Sequence, residues 1–282
     1  MKKLCVIGYP VEHSLYPRIQ QFLLEREGMD YTYEAREVQK HELADFVQEA
    51  REGAYAGFNV TTPHKRTIIP LLDEISDEAR LCGAVNTVRV QDGRLLGYNN
   101  DSLGFMASLR RCGFDPKGKK VLLIGAGASG AAITTALARA GVGKLWICNR
   151  GVYRAKELAA RYPEQAEFIY FGTFPLRRAA AQADLIINAT NVGMSNGQEF
   201  SDLSFLRDAN PEAYIYDLVY SPRDTLLLRQ ARKQGLRTIP GINMVIPQII
   251  EGFHDFTGRE VDHEAAWQAI EQELAEELGE EV

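Results

Sequence analysis

Short runs of apolar, β-favouring residues alternate with stretches whose apolar residues recur at helical spacing, and the alternation runs through most of the chain. A strand is predicted over 4–7, then a helix from about Pro17 carrying Ile19, Phe22 and Leu23 on its apolar side. Proline suits the first turn of a helix, where its missing N–H leaves no bond unmade. A strand over 31–38 and a helix from about His41 come next, followed by a strand over 57–60. Segments 85–90 and 95–98 read as two strands joined through Gln91-Asp92-Gly93, because an Asp-Gly pair permits a tight hairpin turn.

A second series begins after the polar stretch Asp115-Pro116-Lys117-Gly118, with strands predicted over 121–124, 144–148, 168–170, 185–188 and 214–218. Strands that alternate with helices call for a mainly parallel sheet, since parallel neighbours need a connection long enough to hold a helix. The fold class is therefore α/β, with one domain over 1–101 plus 240–282 and a second over 102–239. The tail from Asp262 reads as a helix with Trp267, Ile270, Leu274 and Leu278 on one face, which is expected to pack on the first domain.

A length of 282 residues fits two domains of about 150 residues each. Lys and Arg number 32 against 38 Asp and Glu, and the net charge of −6 disfavours nucleic acid and acidic membranes as partners. The opening apolar run stops at Gly8, too short for a signal-peptide core, and no stretch is long enough to span a bilayer. Cys5, Cys82, Cys112 and Cys148 are scattered without a C-x-x-C pair, and no histidine stands at ligand spacing. Neither a metal site nor a disulfide framework is indicated, which points to a reducing, cytoplasmic compartment. The histidines, His13 and His64 included, read as ordinary polar residues.

Gly125-Ala126-Gly127-Ala128-Ser129-Gly130 follows an apolar strand and opens an Ala-rich helix. In that context the glycines allow a tight turn and a close approach of backbone to a pyrophosphate at the helix N-terminus. An acid usually stands about 20 residues further on to bind a ribose 2′-hydroxyl. This chain has Asn149-Arg150, with Arg154 one turn later, and two guanidinium groups suit a 2′-phosphate, so NADP is the expected cofactor.

Thr61-Thr62-Pro63-His64-Lys65 reads as a strand end, an N-cap and a first helical turn. Lys65 would then lie where the helix dipole opposes its charge, which makes it a candidate to give or take a proton near neutral pH. By itself the segment also fits a plain surface lysine. Asp101 precedes a helical pattern and fits an N-cap as well as a catalyst, and His13-Ser14 fits helix capping as well as an anion site.

Taken together these segments resemble the shikimate dehydrogenase family nearly end to end. The motifs that carry the resemblance are Gly8 through Pro17, Asn59 through Lys65, Gly83 through Thr87 and Gly97 through Asp101 in the first half. In the second half they are Asn149-Arg150 with Arg154, Asn188 through Met194, Asp217 through Tyr220 and Gly241 through Gln248. The resemblance implies a substrate domain and a Rossmann-type NADP-binding domain, with the active site in the cleft between them. It also implies reversible, NADPH-dependent reduction of 3-dehydroshikimate to shikimate by a monomer or homodimer. Lys65 and Asp101 would be the acid/base pair, and Ser14, Tyr16, Asn59, Thr61, Asn86, Tyr220 and Gln248 would contact substrate. Gly125, Gly127, Ala128, Ser129, Gly130, Asn149, Arg150, Arg154, Thr190, Gly241 and Met244 would contact the cofactor.

Four positions depart from the family pattern. Tyr16 stands where a second serine is usual, Asn100 where Thr is common, His64 where an apolar aromatic is common, and Gly151 where Thr often follows the Asn-Arg pair. The first three bear on substrate, so a quinate, aminoshikimate or shikimate-like dehydrogenase is the alternative enzyme. A catalytically silent NADP(H)-binding sensor is the alternative of another class, although such a module would need neither Lys65 nor Asp101.

Overall fold

The N-terminal strand β1 (Lys2–Gly8) pairs in parallel with β2 (Tyr31–Glu37) on one side and β3 (Gly57–Val60) on the other. With β4 (Glu74–Ile75), β5 (Thr87–Gln91) and β6 (Arg94–Tyr98) they form a six-stranded sheet in the order β2-β1-β3-β5-β6-β4. Only β5 runs against the rest, being antiparallel to both β3 and β6. The β5–β6 hairpin closes through Asp92 and Gly93, both at positive φ (51° and 73°), as a two-residue turn of the predicted kind requires. Helices α1 (Tyr16–Arg26), α2 (Leu43–Arg51) and α3 (Asp77–Cys82) belong to the same unit. Phe46 of α2 and Tyr55 pack with Phe58 of β3 in the core of this unit, the Phe46 and Phe58 rings meeting edge to face at 5.0 Å.

This computed structural model describes residues 1–12, 14–195 and 197–278. It divides into two units, residues 1–101 with the chain from Ile246 onward, and Ser102–Val245. The second unit contains α4 (Asp101–Arg111) apart from its first residue. It also holds β7 (Lys120–Ile124), α5 (Ala128–Arg139), β8 (Lys144–Cys148), α6 (Val152–Ala160), β9 (Ala166–Phe168) and α7 (Thr173–Ala180). Then come β10 (Leu185–Asn188), β11 (Tyr214–Asp217), α8 (Leu226–Lys233) and β12 (Arg237–Ile239). Its six strands lie in the order β12-β11-β10-β7-β8-β9 and every pairing is parallel. Val121 and Leu123 of β7 pack into the core on one face, Leu122 and Ile124 into the core on the other. A strand covered on both sides has no polar face, which is why β7 reads as an unbroken apolar run.

Two further helices complete the chain: α9 (Ile242–Thr257), within which the division between units falls, and α10 (His263–Leu278). Asp262 caps α10, its carboxylate accepting from Ala265 N at 2.7 Å. Trp267, Ile270 and Leu274 are buried as the pattern predicts, and Arg18 of α1 donates to Glu273 O at 2.7 Å. The side chain of Leu278 lies outside the described residues.

The helix predicted from Pro63 is a correction. Residues 62–68 form successive turns that end in a single 3-10 turn at Ile69–Leu71. Pro70 has no N–H to continue a helical ladder, and the Lys65 carbonyl accepts from Val85 N at 2.7 Å, outside any helix. The helix dipole invoked for Lys65 therefore has no source. Strand β9 lies two residues earlier than predicted, and β4, α3 and β12 were not predicted, each being six residues or fewer.

At the end of β11 the fully buried Asp217 carboxylate accepts from Thr225 Oγ1 at 2.6 Å, Asn188 Nδ2 at 2.8 Å and Val219 N at 3.1 Å. Burial outweighs these donors and pushes its pKa up to about 6. The unfolded carboxyl titrates near ~3.9, so between about 4 and 6 the native state holds more proton than the unfolded one, and this group's contribution to stability declines as pH rises through that window. Thermal unfolding across pH 4–7 should show that decline steeper in the wild type than in Asp217→Asn; identical slopes would refute the assignment.

Candidate functional site

The reversed strand β5 decides which residues meet in the first unit. Strands β3 and β6 end at Val60 and Tyr98, and β5 begins at Thr87, which lies opposite both Asn59 and Tyr98. The segments after β3 and β6 therefore emerge beside the segment that leads into β5. Backbone bonds fix them there, from Val60 N to Asn86 O at 2.8 Å and from Asn86 N to Tyr98 O at 3.0 Å.

On that frame Lys65 Nζ donates to Asp101 Oδ2 at 2.7 Å and to Oδ1 at 3.0 Å. The Lys65 side chain is 15% exposed and that of Asp101 only 1%. Asn86 Nδ2 donates to Asp101 Oδ1 at 2.8 Å, and the Asp101 backbone N–H donates to Asn99 Oδ1 at 2.9 Å. Asn59 reaches this group through Thr87, donating to Thr87 Oγ1 at 3.0 Å, while its own Oδ1 accepts from Tyr33 OH at 2.6 Å. Lys65, Asn86 and Asp101 thus form one contact cluster, which Asn59 joins through Thr87 and through its own bond to Asn86 O at 3.2 Å.

His64 differs from the ordinary polar residue that its sequence context predicts. It is wholly buried, with Nε2 at 2.6 Å from Val38 O and Nδ1 unpartnered. A carbonyl can only accept, so Nε2 carries the proton and ties the Lys65 turn to the residue after β2. The N-terminal loop joins the same turn, since Tyr9 N donates to Thr62 O at 3.0 Å and Thr61 N donates to Ile7 O at 2.9 Å.

Tyr16 and Gln248 come together, the phenol donating to Gln248 Oε1 at 2.7 Å. Ser14 stands just before α1, and its Oγ accepts from Tyr16 N at 3.3 Å. Thr61 and Tyr220 are partly exposed, beyond the ends of β3 and β11. His13 lies outside the described residues.

In the second unit the turn after β7 needs its glycines. Gly125 has φ +119°, and a Cβ there would stand 2.7 Å from Ala189 O, while a Cβ on Gly130 would collide with Gly125 O. Gly127 precedes Ala128 and Ser129 of α5 with no side chain capping the helix, and nothing lies within 4 Å of where its Cβ would be. That opening is the space a pyrophosphate needs. Asn149 braces the turn, its Oδ1 accepting from Ala126 N at 3.3 Å and its Nδ2 donating to Gly151 O at 3.1 Å. Arg150 and Arg154 are exposed at the start of α6, whose first turn has no acidic residue. Thr190 Oγ1 donates to Asn188 Oδ1 at 2.6 Å, beside the same turn. Gly241 passes close under β11, where a Cβ would stand 2.5 Å from Leu218 O, and Met244 is 4% exposed with its side chain in the core. The residues present thus fit an NADP molecule.

The strand order places β7 and β10 at the point where the direction of winding reverses, with the glycine turn and residues 188–193 at the carboxyl ends of those strands. This arrangement defines a Rossmann-type dinucleotide-binding unit, here on one chain with a lysine–aspartate pair. Residues 6–88 match the family described as "Shikimate dehydrogenase substrate binding domain", and residues 109–224 match "Shikimate / quinate 5-dehydrogenase". A shikimate dehydrogenase (NADP(+)) of Geobacter metallireducens is 42% identical over 251 residues, 87% of either chain. One of Alkaliphilus metalliredigens is 38% identical over 261 residues, 91% of either chain. The crystal structure of shikimate 5-dehydrogenase from Thermus thermophilus, in complex with NADP(H) and shikimate, superposes with a TM-score of 0.84 at 35% identity. It covers 96% of this chain and 99% of that one. The chain belongs to the shikimate dehydrogenase family.

Among the described residues no group of three or more His, Cys, Asp or Glu could hold a metal ion, and no helix is long and apolar enough to cross a membrane.

Proposed function

We propose that this chain catalyses the reversible reduction of 3-dehydroshikimate to shikimate with NADPH. The observation that carries the reading is the Lys65–Asp101 pair, nearly buried and fixed by Asn86. When bound, the nicotinamide supplies or accepts the hydride. Hydride arriving at a ketone carbon leaves charge on the oxygen, where the Lys65 ammonium stabilises it and gives up a proton to form the alcohol. Asp101 anchors the Lys65 ammonium through both carboxylate oxygens, which leaves a further N–H to donate to the reacting oxygen. In the oxidative direction the same pair takes the proton from the alcohol. Asn59, Asn86, Thr61, Ser14, Tyr16, Tyr220 and Gln248 are the proposed substrate contacts, and Arg150 and Arg154 the contacts for the 2′-phosphate. The four free thiols suit a reducing compartment.

Absorbance at the nicotinamide band, with shikimate, quinate and aminoshikimate each offered with NADP and NAD, tests the reading directly. Shikimate with NADP should be the best pair, and no turnover with any of the three would leave the sensor alternative standing. Arg150→Ala and Arg154→Ala should each weaken NADP by about 10- to 150-fold, the worth of a charge-assisted bond, and NAD far less. Equal losses for both cofactors would refute the phosphate contact.

Lys65→Ala should lower kcat by about 10²- to 10⁴-fold with a much smaller change in KM. Asp101→Asn should also be slow, and the double variant should fall well short of the product of the two effects, because the residues act as a unit. Near wild-type turnover in Lys65→Ala, or simple multiplication of the two losses, would sink the mechanism.

One observation favours a modified pocket. Two proposed substrate contacts, Tyr16 and Gln248, bond to each other, so a substrate group that engages either has to compete with that bond. Tyr16→Ser frees Gln248 and is expected to lower KM for shikimate with a smaller change in kcat. If Tyr16→Ser instead abolished activity on shikimate, the phenol would be a productive contact and the pocket would be rebuilt around it.

A further inference from the structure

A second carboxylate stands at the far end of the network that holds Asp101. Asp255 of α9 accepts from Asn100 Nδ2 at 2.8 Å, and the same amide nitrogen reaches Thr87 Oγ1 at 3.4 Å. Thr87 Oγ1 lies 3.0 Å from Asn86 Oδ1, and Asn86 Nδ2 donates to Asp101 Oδ1 at 2.8 Å. All six groups from Asp255 to Lys65 belong to the same unit.

The donors and acceptors along this path leave one consistent arrangement. The amides of Asn59 and Asn100 both donate to Thr87 Oγ1, so the single hydroxyl proton of Thr87 goes to Asn86 Oδ1. Asn86 Oδ1 also accepts from the backbone N–H of Asn100 at 3.0 Å. With its oxygen engaged twice, Asn86 turns its NH₂ toward Asp101. The orientation of the Asn100 amide decides the first of these steps, and an ionised carboxylate decides that orientation, because it can only accept. A neutral Asp255 could either donate its hydroxyl proton to the amide oxygen or accept from the amide NH₂, so it would no longer hold Asn100 in one orientation. Turned over, Asn100 would offer Thr87 an acceptor in competition with Asn86.

We propose that Asp255 is a positioning residue for the Lys65–Asp101 pair, acting through Asn100, Thr87 and Asn86 to keep the Asn86 amide donating to Asp101. The proposal rests on the reading of Lys65 and Asp101 as the proton-transfer pair. Glu251 and His254 from α9, Arg89 from β5 and Tyr98 from β6 are the charged and titratable groups that act on Asp255 or feel its charge. Burial, aided by Glu251, pushes its pKa up to about 6 against the pull of the Asn100 bond, His254 and Arg89. Asp255 is accordingly ionised at pH 8 and loses its charge as pH falls through about 6.

Two measurements on the full chain test this. In ¹⁵N–¹H spectra from pH 5 to 8, the side-chain amide signals of Asn100 and Asn86 should titrate together with a midpoint near 6. Both should stay fixed in Asp255→Asn, which is isosteric and cannot titrate. A stationary Asn86 signal in the wild type, or a titration that survives in Asp255→Asn, overturns the proposal whether or not shikimate is the substrate. For the reaction itself, Asp255→Leu should lower kcat at pH 8 by about 5- to 20-fold with KM within about twofold, the pattern of a lost transition-state contact. Asn100→Thr, with one hydroxyl proton in place of two amide hydrogens, should give a similar loss, and the two losses should not multiply. Unchanged kcat in Asp255→Leu, or fully multiplicative losses, would overturn the proposal. Should Asp255→Leu fail to fold, the kcat–pH profile of Asp255→Asn decides, since a wild-type fall through pH 6 that persists in this variant refutes it. Absence of any shikimate oxidation by the wild type counts against the proposed function alone, because the amide titration is read without substrate.

Discussion

A carboxylate that is 1% exposed keeps its charge only where protein donors replace the water it has lost, and removing one partner of such a pair leaves an uncompensated buried charge. Asp101 meets this requirement with the Lys65 ammonium and the Asn86 amide. That need propagates outward. Asn86 can serve Asp101 only if its own oxygen is occupied, which requires Thr87 and the Asn100 backbone, and Thr87 in turn requires Asn59. Nor can Lys65 be left to a mobile turn, since its carbonyl is held by Val85 and its neighbour His64 by Val38. The topology makes this possible through one reversed strand. With β5 parallel, Asn86 and Thr87 would lie at the opposite end of the strands from Lys65 and Asp101.

The second unit solves a different problem by different means. Its ligand is long and carries phosphates that any protein of this class can meet with backbone N–H groups, so its requirements fall on where the chain bends. Gly125 and Gly130 are fixed by contacts with backbone atoms, which no side-chain rearrangement can relieve. Asn149 and Asn188 hold loops in place, the first bracing the glycine turn and the second holding Thr190 and Val192. Asp217 is the counterpart of Asp101 here, a buried carboxylate satisfied by three donors, but without a cation and with its pKa raised.

Much of this was legible in the sequence where the signal is local. The apolar runs of β1, β7 and β10 and the Asp92-Gly93 turn are set by burial and backbone freedom within a few residues, and the structure has them where the pattern puts them. The segment after Asn59 misleads because Pro63 and two threonines form a good local helix start, whereas Pro70 and the bond from Val85 to the Lys65 carbonyl come from further away. Lys65 and Asp101 could be singled out by motif, but their meeting depends on the direction of β5, which no local pattern reports. Asp255 gave no signal at all. Asn100 did, as an amide where a hydroxyl is common, and the extra hydrogen it carries is the one that reaches Asp255.

Charge adds a last constraint on the proposed function. A chain of net charge −6 that binds a carboxylate and a phosphorylated dinucleotide has to create positive potential locally, within the roughly 8–10 Å over which salt leaves a charge visible. In the second unit Arg150 and Arg154 do so, at a helix start free of acidic residues. In the first unit Lys65 is paired with Asp101, so the pair carries no net charge to attract an anion from a distance, although the ammonium still acts at contact range. In the proposed function the Ser14 and Tyr16 hydroxyls at the start of α1 are neutral donors offered to a substrate carboxylate. Neutral donors discriminate by position more than by charge, so a pocket built from them is sensitive to the reach of each hydroxyl. Replacing a short serine by a phenol that already bonds Gln248 changes that reach by the length of a ring. In the proposed function the reaction depends on the charged pair, while the choice among shikimate-like acids falls to the uncharged groups around it.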